Sequence, residues 1–125
     1  MSTQEQLVLD TENVANRLVE LCSQGKFNEA QDELFHENAT SSEPAHTTMP
    51  VAEGLAAIRE RGKQFQDGIA ENHGGYVNAP IIAGNHFAVA MGMDVTMKDG
   101  NRMKMDEVAV YKVADGKIVS EQFFY

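Results

Sequence analysis

The stretch from Arg102 to Tyr125, "RMKMDEVAVYKVADGKIVSEQFFY", decides the fold. Its apolar and polar residues alternate, the period of a strand with one buried face. Asp115-Gly116 interrupts the alternation, and an Asp-Gly pair between two such runs is the strongest short-range signal for a β-hairpin. Working back along the chain, Asp99-Gly100 joins this hairpin to "HFAVAMGMDVTMK" at 86–98. Gly84-Asn85 joins that run to "YVNAPIIA" at 76–83. The second half of the chain therefore reads as a meander of four strands.

Before about residue 70 the period is helical. Apolar residues fall at 7, 8, 14, 15, 18, 21 and 22, an amphipathic helix that Gly25 closes. "KFNEAQDELF" at 26–35 carries Phe27, Ala30 and Leu34 on one stripe and forms a second, shorter helix. "NATSSEP" at 38–44 reads as a brief strand stopped by Pro44, which cannot continue a ladder. A third helix over 52–65 buries Leu55, Ile58 and Phe65. Three helices followed by an antiparallel sheet make an α+β fold, one domain over residues 1–125, with the helices on one face of the sheet.

Composition narrows the function. The formal net charge is −9, and the densest basic cluster, "RERGK" at 59–63, is broken by an acid. Such a chain repels phosphate backbones and anionic lipid, so neither nucleic acid nor a membrane is an expected partner. Cys22 is the single cysteine, which excludes an internal disulfide and a cysteine-built metal site. His36, His46, His73 and His86 lack the spacing of a metal centre, and no Gly-rich phosphate loop or nucleophile elbow is present. No cofactor and no metal are expected. "MSTQEQ" at 1–6 has no apolar core of a secretory signal, and the cytoplasm is the expected compartment.

The order helix, "SQGKFNEAQDELFHENATSSEP", "GLAAIRE", then a meander ending "MDEVAVYKVADGKIVSEQFFY" resembles the SnoaL-like and ketosteroid-isomerase-like members of the nuclear transport factor 2-like superfamily. The resemblance covers nearly the whole chain and is strongest at 25–44, 54–60 and 105–125. It implies a cone-shaped, strongly curved antiparallel sheet packed on three N-terminal helices, the cystatin-like α+β barrel, with a hydrophobic pocket between them. It further implies a homodimer joined through the sheet. By this resemblance Glu43, directly before Pro44, is the general base, and Asp106 donates a hydrogen bond to the enolate oxygen. Leu18, His46, Met91, Met93, Val108, Tyr111 and Phe123 would shape the pocket. The resemblance also carries a logic of paired carboxyls, one ionised and one kept protonated by an apolar site.

Two departures argue against steroid isomerisation as such. The family's helix-1 tyrosine falls on Leu18, which has no hydroxyl, and Glu43 is one methylene longer than the usual aspartate base. SnoaL-like cyclases act on already acidic carbon centres and demand less. The expected function is cofactor-free proton transfer next to a carbonyl in a small hydrophobic ligand, of the isomerase, cyclase or dehydratase type. The alternative is a non-catalytic ligand-binding or dimerisation module of the same fold. Alternation alone leaves the second acid open: Asp106 shares a face with Val108 and Val110, Glu107 with Met105, Ala109 and Tyr111.

Overall fold

A computed structural model describes residues 3–125; of the domain read over 1–125, residues 1 and 2 lie outside the described residues. The first helix, α1 (Thr3–Ser23), buries Thr11, Val14, Ala15, Leu18, Leu21 and Cys22, one stripe at helical spacing. Gly25, at φ 75°, ends it with the Lys26 amide donating to the Leu21 carbonyl at 2.9 Å. Helix α2 (Phe27–Leu34) follows and buries Ala30 and Leu34. Phe35 already belongs to β1 (Phe35–Ser42), and the chain turns at Pro44, whose carbonyl accepts from the Thr47 amide at 2.9 Å.

Residues 52–54 depart from the expected helix. Ala52–Glu53 is a two-residue strand, β2, paired antiparallel with β1 through Thr40↔Glu53 and Ser41↔Ala52. Gly54, at φ 92°, turns the chain into α3 (Leu55–Asp67). The first strand of the meander also differs. It begins earlier, as β3 (Ile69–Val77), and is broken at 78–80 before β4 (Ile81–Ala83). Pro80 has no amide to give a ladder, so the chain leaves the sheet there and re-enters. Both pieces pair with β5 (His86–Met97), which leads to β6 (Arg102–Ala114) and β7 (Lys117–Phe124) as expected from the two Asp-Gly turns.

The strand order is β2-β1-β7-β6-β5-β3 in one curved sheet, with β4 beside β5. All pairings are antiparallel except β1 with β7, so the sheet is mixed where a purely antiparallel one was expected. The three helices pack on its inner face. There Ala39, Phe87, Val89, Ala109, Tyr111, Val113 and Ile118 are fully enclosed, with the Phe87 and Tyr111 rings stacked 4.7 Å apart. Among the described residues no helix is long and apolar enough to cross a membrane.

Burial along β6 settles the face that alternation left open. Ala109 and Val113 are wholly buried while Val108 is 41% exposed, so odd-numbered positions of β6 point inward and even-numbered ones outward. Glu107 is therefore inside and Asp106 outside. On the outer face Tyr76, Gly92 and Asp106 form one row across β3, β5 and β6. The Tyr76 ring lies over Gly92, where a Cβ would overlap it, and its hydroxyl donates to Asp106 Oδ1 at 2.6 Å.

Candidate active site

One of the inner acids, Glu121, owes its position to a β-bulge. Lys112 pairs with Ser120 but Val113 pairs with Ile118, leaving Val119 as an extra residue on β7. Strict alternation from the buried Ile118 would turn Glu121 to the outside. The extra residue resets the parity, and Glu121 faces inward at 6% exposure. Ser41, Glu121, Tyr111 and Phe87 then stand as successive register partners on β1, β7, β6 and β5. The Ser41 and Tyr111 hydroxyls are hydrogen-bonded to the Glu121 carboxyl.

Desolvation outweighs those two hydrogen bonds. It pushes the Glu121 carboxyl up to about 7, and the charges of Glu43 and Glu107 add to the rise. Glu107, half-buried beside its β5 partner Met91, is likewise pushed up to about 7, by burial first and then by the charge of Glu43. The fully buried Tyr111 hydroxyl is held well above its ordinary range, by burial first and then by the Glu121 charge.

Glu43 sits at the rim, just beyond the end of β1. The Tyr125 hydroxyl donates to its Oε2 at 2.9 Å, and the His46 ring meets Tyr125 edge-on with centroids 6.0 Å apart. Tyr125 is pushed up to about 12, by burial first and then by the bond to Glu43. Three carboxyls thus share one electrostatic environment, two of them on the sheet floor and one on the rim.

An open cleft of about 390 Å³ runs between the end of α1 and β3–β5, lined among others by Cys22, Phe27, Val77 and Met93. A second, of about 330 Å³, is lined by His73, Tyr76, Asp94, Lys104 and Asp106 among others. Neither is lined by Glu43, Glu107 or Glu121. Size alone does not locate the site, because paired acids with carboxyls raised to neutrality are the rarer feature and carry the chemistry. The larger cleft does approach them: Glu121 helps push the Cys22 thiol in its wall up to about 12, behind burial as the main cause. Among the described residues no group of three or more His, Cys, Asp or Glu is placed to hold a metal ion.

The family model of the SnoaL-like domain matches residues 9–125, nearly the whole chain. The chain belongs to the SnoaL-like family. A protein from Mesorhizobium loti, provisionally described as a SnoaL-like polyketide cyclase, is 36% identical with a TM-score of 0.85, over 91% of this chain and 97% of that one. A Catenulispora acidiphila protein with a ketosteroid isomerase-like fold, solved with trimethylamine, shares the fold at 16% identity (TM-score 0.70, covering 92% and 86% of the two chains). A Xanthomonas campestris protein with a cystatin-like fold and no known function does so at 15% identity (TM-score 0.74, covering 91% and 88%). None of the curated proteins matches this chain.

Set on this SnoaL-like frame, the sequence expectations separate by face. Glu43, Met91, Tyr111 and Phe123 lie on the inner side, and Phe123 is the cross-strand partner of Ala109 beside Glu107. Leu18 is buried in the core cluster with Tyr111, and His46 reaches the site through Tyr125. Met93 lies further along β5, in the wall of the larger cleft. Asp106 and Val108 are corrected: both point outward because β6 turns its odd-numbered residues to the core. The acids brought to Glu43 are Glu107, which alternation had left open, and Glu121, whose inward turn depends on a bulge.

A raised carboxyl makes stability depend on pH. Between the ordinary value of 4.5 and about 7 the folded chain keeps a proton on Glu121 that the unfolded chain has lost. Stability from this group is therefore fully present below about 4.5 and is lost as pH rises through about 7. For a nearly enclosed group the shift corresponds to about 3 kcal/mol. Melting temperature should fall between pH ~5 and ~8, and Glu121→Gln, neutral at all pH, should flatten that fall. An equally steep fall in the variant would contradict the assignment.

Proposed function

We propose that this site transfers a proton at carbon next to a carbonyl, in a small hydrophobic ligand and without cofactor or metal, as an isomerase, cyclase or dehydratase does. The observation that supports it most is the pair of inner-face carboxyls, Glu107 and Glu121, both brought to about 7 beside a third, Glu43. A general acid–base is most effective when its pKa lies near the working pH, because it is then both present in the needed form and strong enough to act. Glu107, half-buried rather than enclosed, takes the proton from carbon and returns it. Glu43 faces it from the rim, held by Tyr125, and its charge makes the ionised form of Glu107, present near neutral pH, the stronger base. Glu121 and Tyr111 form the buried floor beneath, and Met91 and Phe123 supply apolar contact. Leu18 supplies no hydroxyl, and the Tyr111 hydroxyl is engaged by Glu121, so stabilisation of a developing oxyanion falls to protonated carboxyl or Tyr125.

A second reading, a ligand-binding module without turnover, draws on the position of the two clefts, neither of which the acids line. Proton–deuterium exchange of β-tetralone followed by NMR separates the two. Wild-type protein should accelerate exchange, Glu107→Gln should lose at least ~10²-fold, and Asp106→Asn on the outer face should stay within about threefold of wild type. No exchange by wild type across a set of such ketones favours the module; a large loss in Asp106→Asn alone contradicts the assignment of Glu107.

We also propose that two copies pair through the outer sheet face. Val108 is 41% and Phe124 52% exposed there, as register partners on neighbouring strands, beside the small residues Ala88, Ala90 and Gly92 of β5. Exposed apolar residues gathered in one patch mark an interaction surface. Analytical ultracentrifugation should show a dimer for wild type and a monomer for Val108→Glu. A monomeric wild type at micromolar concentration would sink this pairing.

A further inference from the structure

Arg61 lies on α3 three residues after the buried Ile58 and six after Leu55, the stripe of that helix turned toward the core. The other arginines are paired with acids at the surface: Arg17 with Glu20 and Glu33, Arg59 with Asp32, and Arg102 with Asp94. Arg61 is not. Its Nη2 donates to the Pro50 carbonyl in the loop that follows Glu43. Among the described residues, its Nη1 is the buried side-chain nitrogen or oxygen that finds no protein partner. Buried polar groups are otherwise almost always satisfied, so an orphaned guanidinium nitrogen points to an acceptor that comes from outside the chain.

The surroundings say which acceptor. The bond to Pro50 ties Arg61 to the loop that follows Glu43, and its charge reaches the Tyr125 hydroxyl that holds Glu43. An anion approaching Glu43, Glu107 and Glu121 in a chain of net charge −9 is repelled unless a cation receives it. A guanidinium stays charged at every working pH, and its planar fork matches a carboxylate. With one edge anchored on the loop and Nη1 unfilled, the side chain is half-fixed for that contact. Arg61 as a whole is only partly buried, so its side chain borders solvent.

We propose that Arg61 is the substrate-recognition residue of this site and that its substrates are carbonyl compounds bearing a carboxylate. The inference rests on the proton-transfer reading for the word substrate, while anion recognition by Arg61 is tested separately. The probes are β-benzoylpropionate and its methyl ester, with binding measured by calorimetry and exchange of the protons beside the ketone by NMR. Wild-type protein should bind the acid at least ~10-fold more tightly than the ester, the scale of one charge-assisted hydrogen bond. Arg61→Gln should bind both alike. Arg61→Lys, which keeps the charge and loses the fork, should retain part of the preference.

Equal binding of acid and ester by wild type, binding of neither, or an undiminished preference in Arg61→Gln overturns the proposal. Should Arg61→Gln fail to fold for want of its bond to Pro50, Arg61→Lys decides: a smaller preference than wild type supports it, and an equal one overturns it. The two readings fail differently. Acid preference without any exchange upholds Arg61 and removes the proton-transfer function; exchange without acid preference does the reverse.

Discussion

One residue too many in the last strand is the constraint on which the site depends. With Val119 outside the ladder, Ile118 and Glu121 both point inward although three positions separate them. Ile118 completes the core. Glu121 becomes a carboxyl in a place where a carboxylate is costly, and the protein keeps it by giving it two hydroxyl partners and a raised pKa. Without the bulge the strand would bury Ser120 and Gln122 instead, and Glu107 would be left with Glu43 alone on the inner side.

That one buried carboxyl sets the character of its neighbours. Glu107 reaches the same face by plain alternation, and Glu43 by following Ala39 and Ser41 at the end of β1. Burial first, and then the charge of Glu43, favours protons on Glu107 and Glu121 near neutrality. Tyr125, close to the C-terminal end of the last strand, fastens Glu43 to the rim. The outer face of the same strands is governed by different requirements. There Tyr76 bridges over Gly92 to Asp106, an acid whose partner is an exposed phenol.

Much of this was legible in the sequence. Two Asp-Gly turns fixed the last three strands, and helical spacing placed α1 and α2 within a few residues. The third helix began three residues late, because Ala52 and Glu53 pair with β1 and Gly54 takes a left-handed turn. The parallel contact between β1 and β7 joins residues about 80 apart in sequence, and no local pattern announces it. In β6 alternation offered both acids, since Val108 and Val110 accompany Asp106 as Ala109 and Tyr111 accompany Glu107, and no local sign separates the two faces. Glu121 was hidden, since a bulge defeats the very periodicity by which faces are read. Arg61 was hidden as well: within "RERGK" nothing separates a solvated arginine from one set on a core-facing stripe.

The proposed chemistry depends on two inner-face carboxyls, Glu107 and Glu121, that titrate near neutral pH. A carbon-detected NMR titration of the glutamate carboxyls, assigned with Glu107→Gln and Glu121→Gln, measures this directly. Burial of both predicts midpoints near 7. Midpoints for both near the unperturbed value of about 4.3 would show two solvated acids and contradict the site.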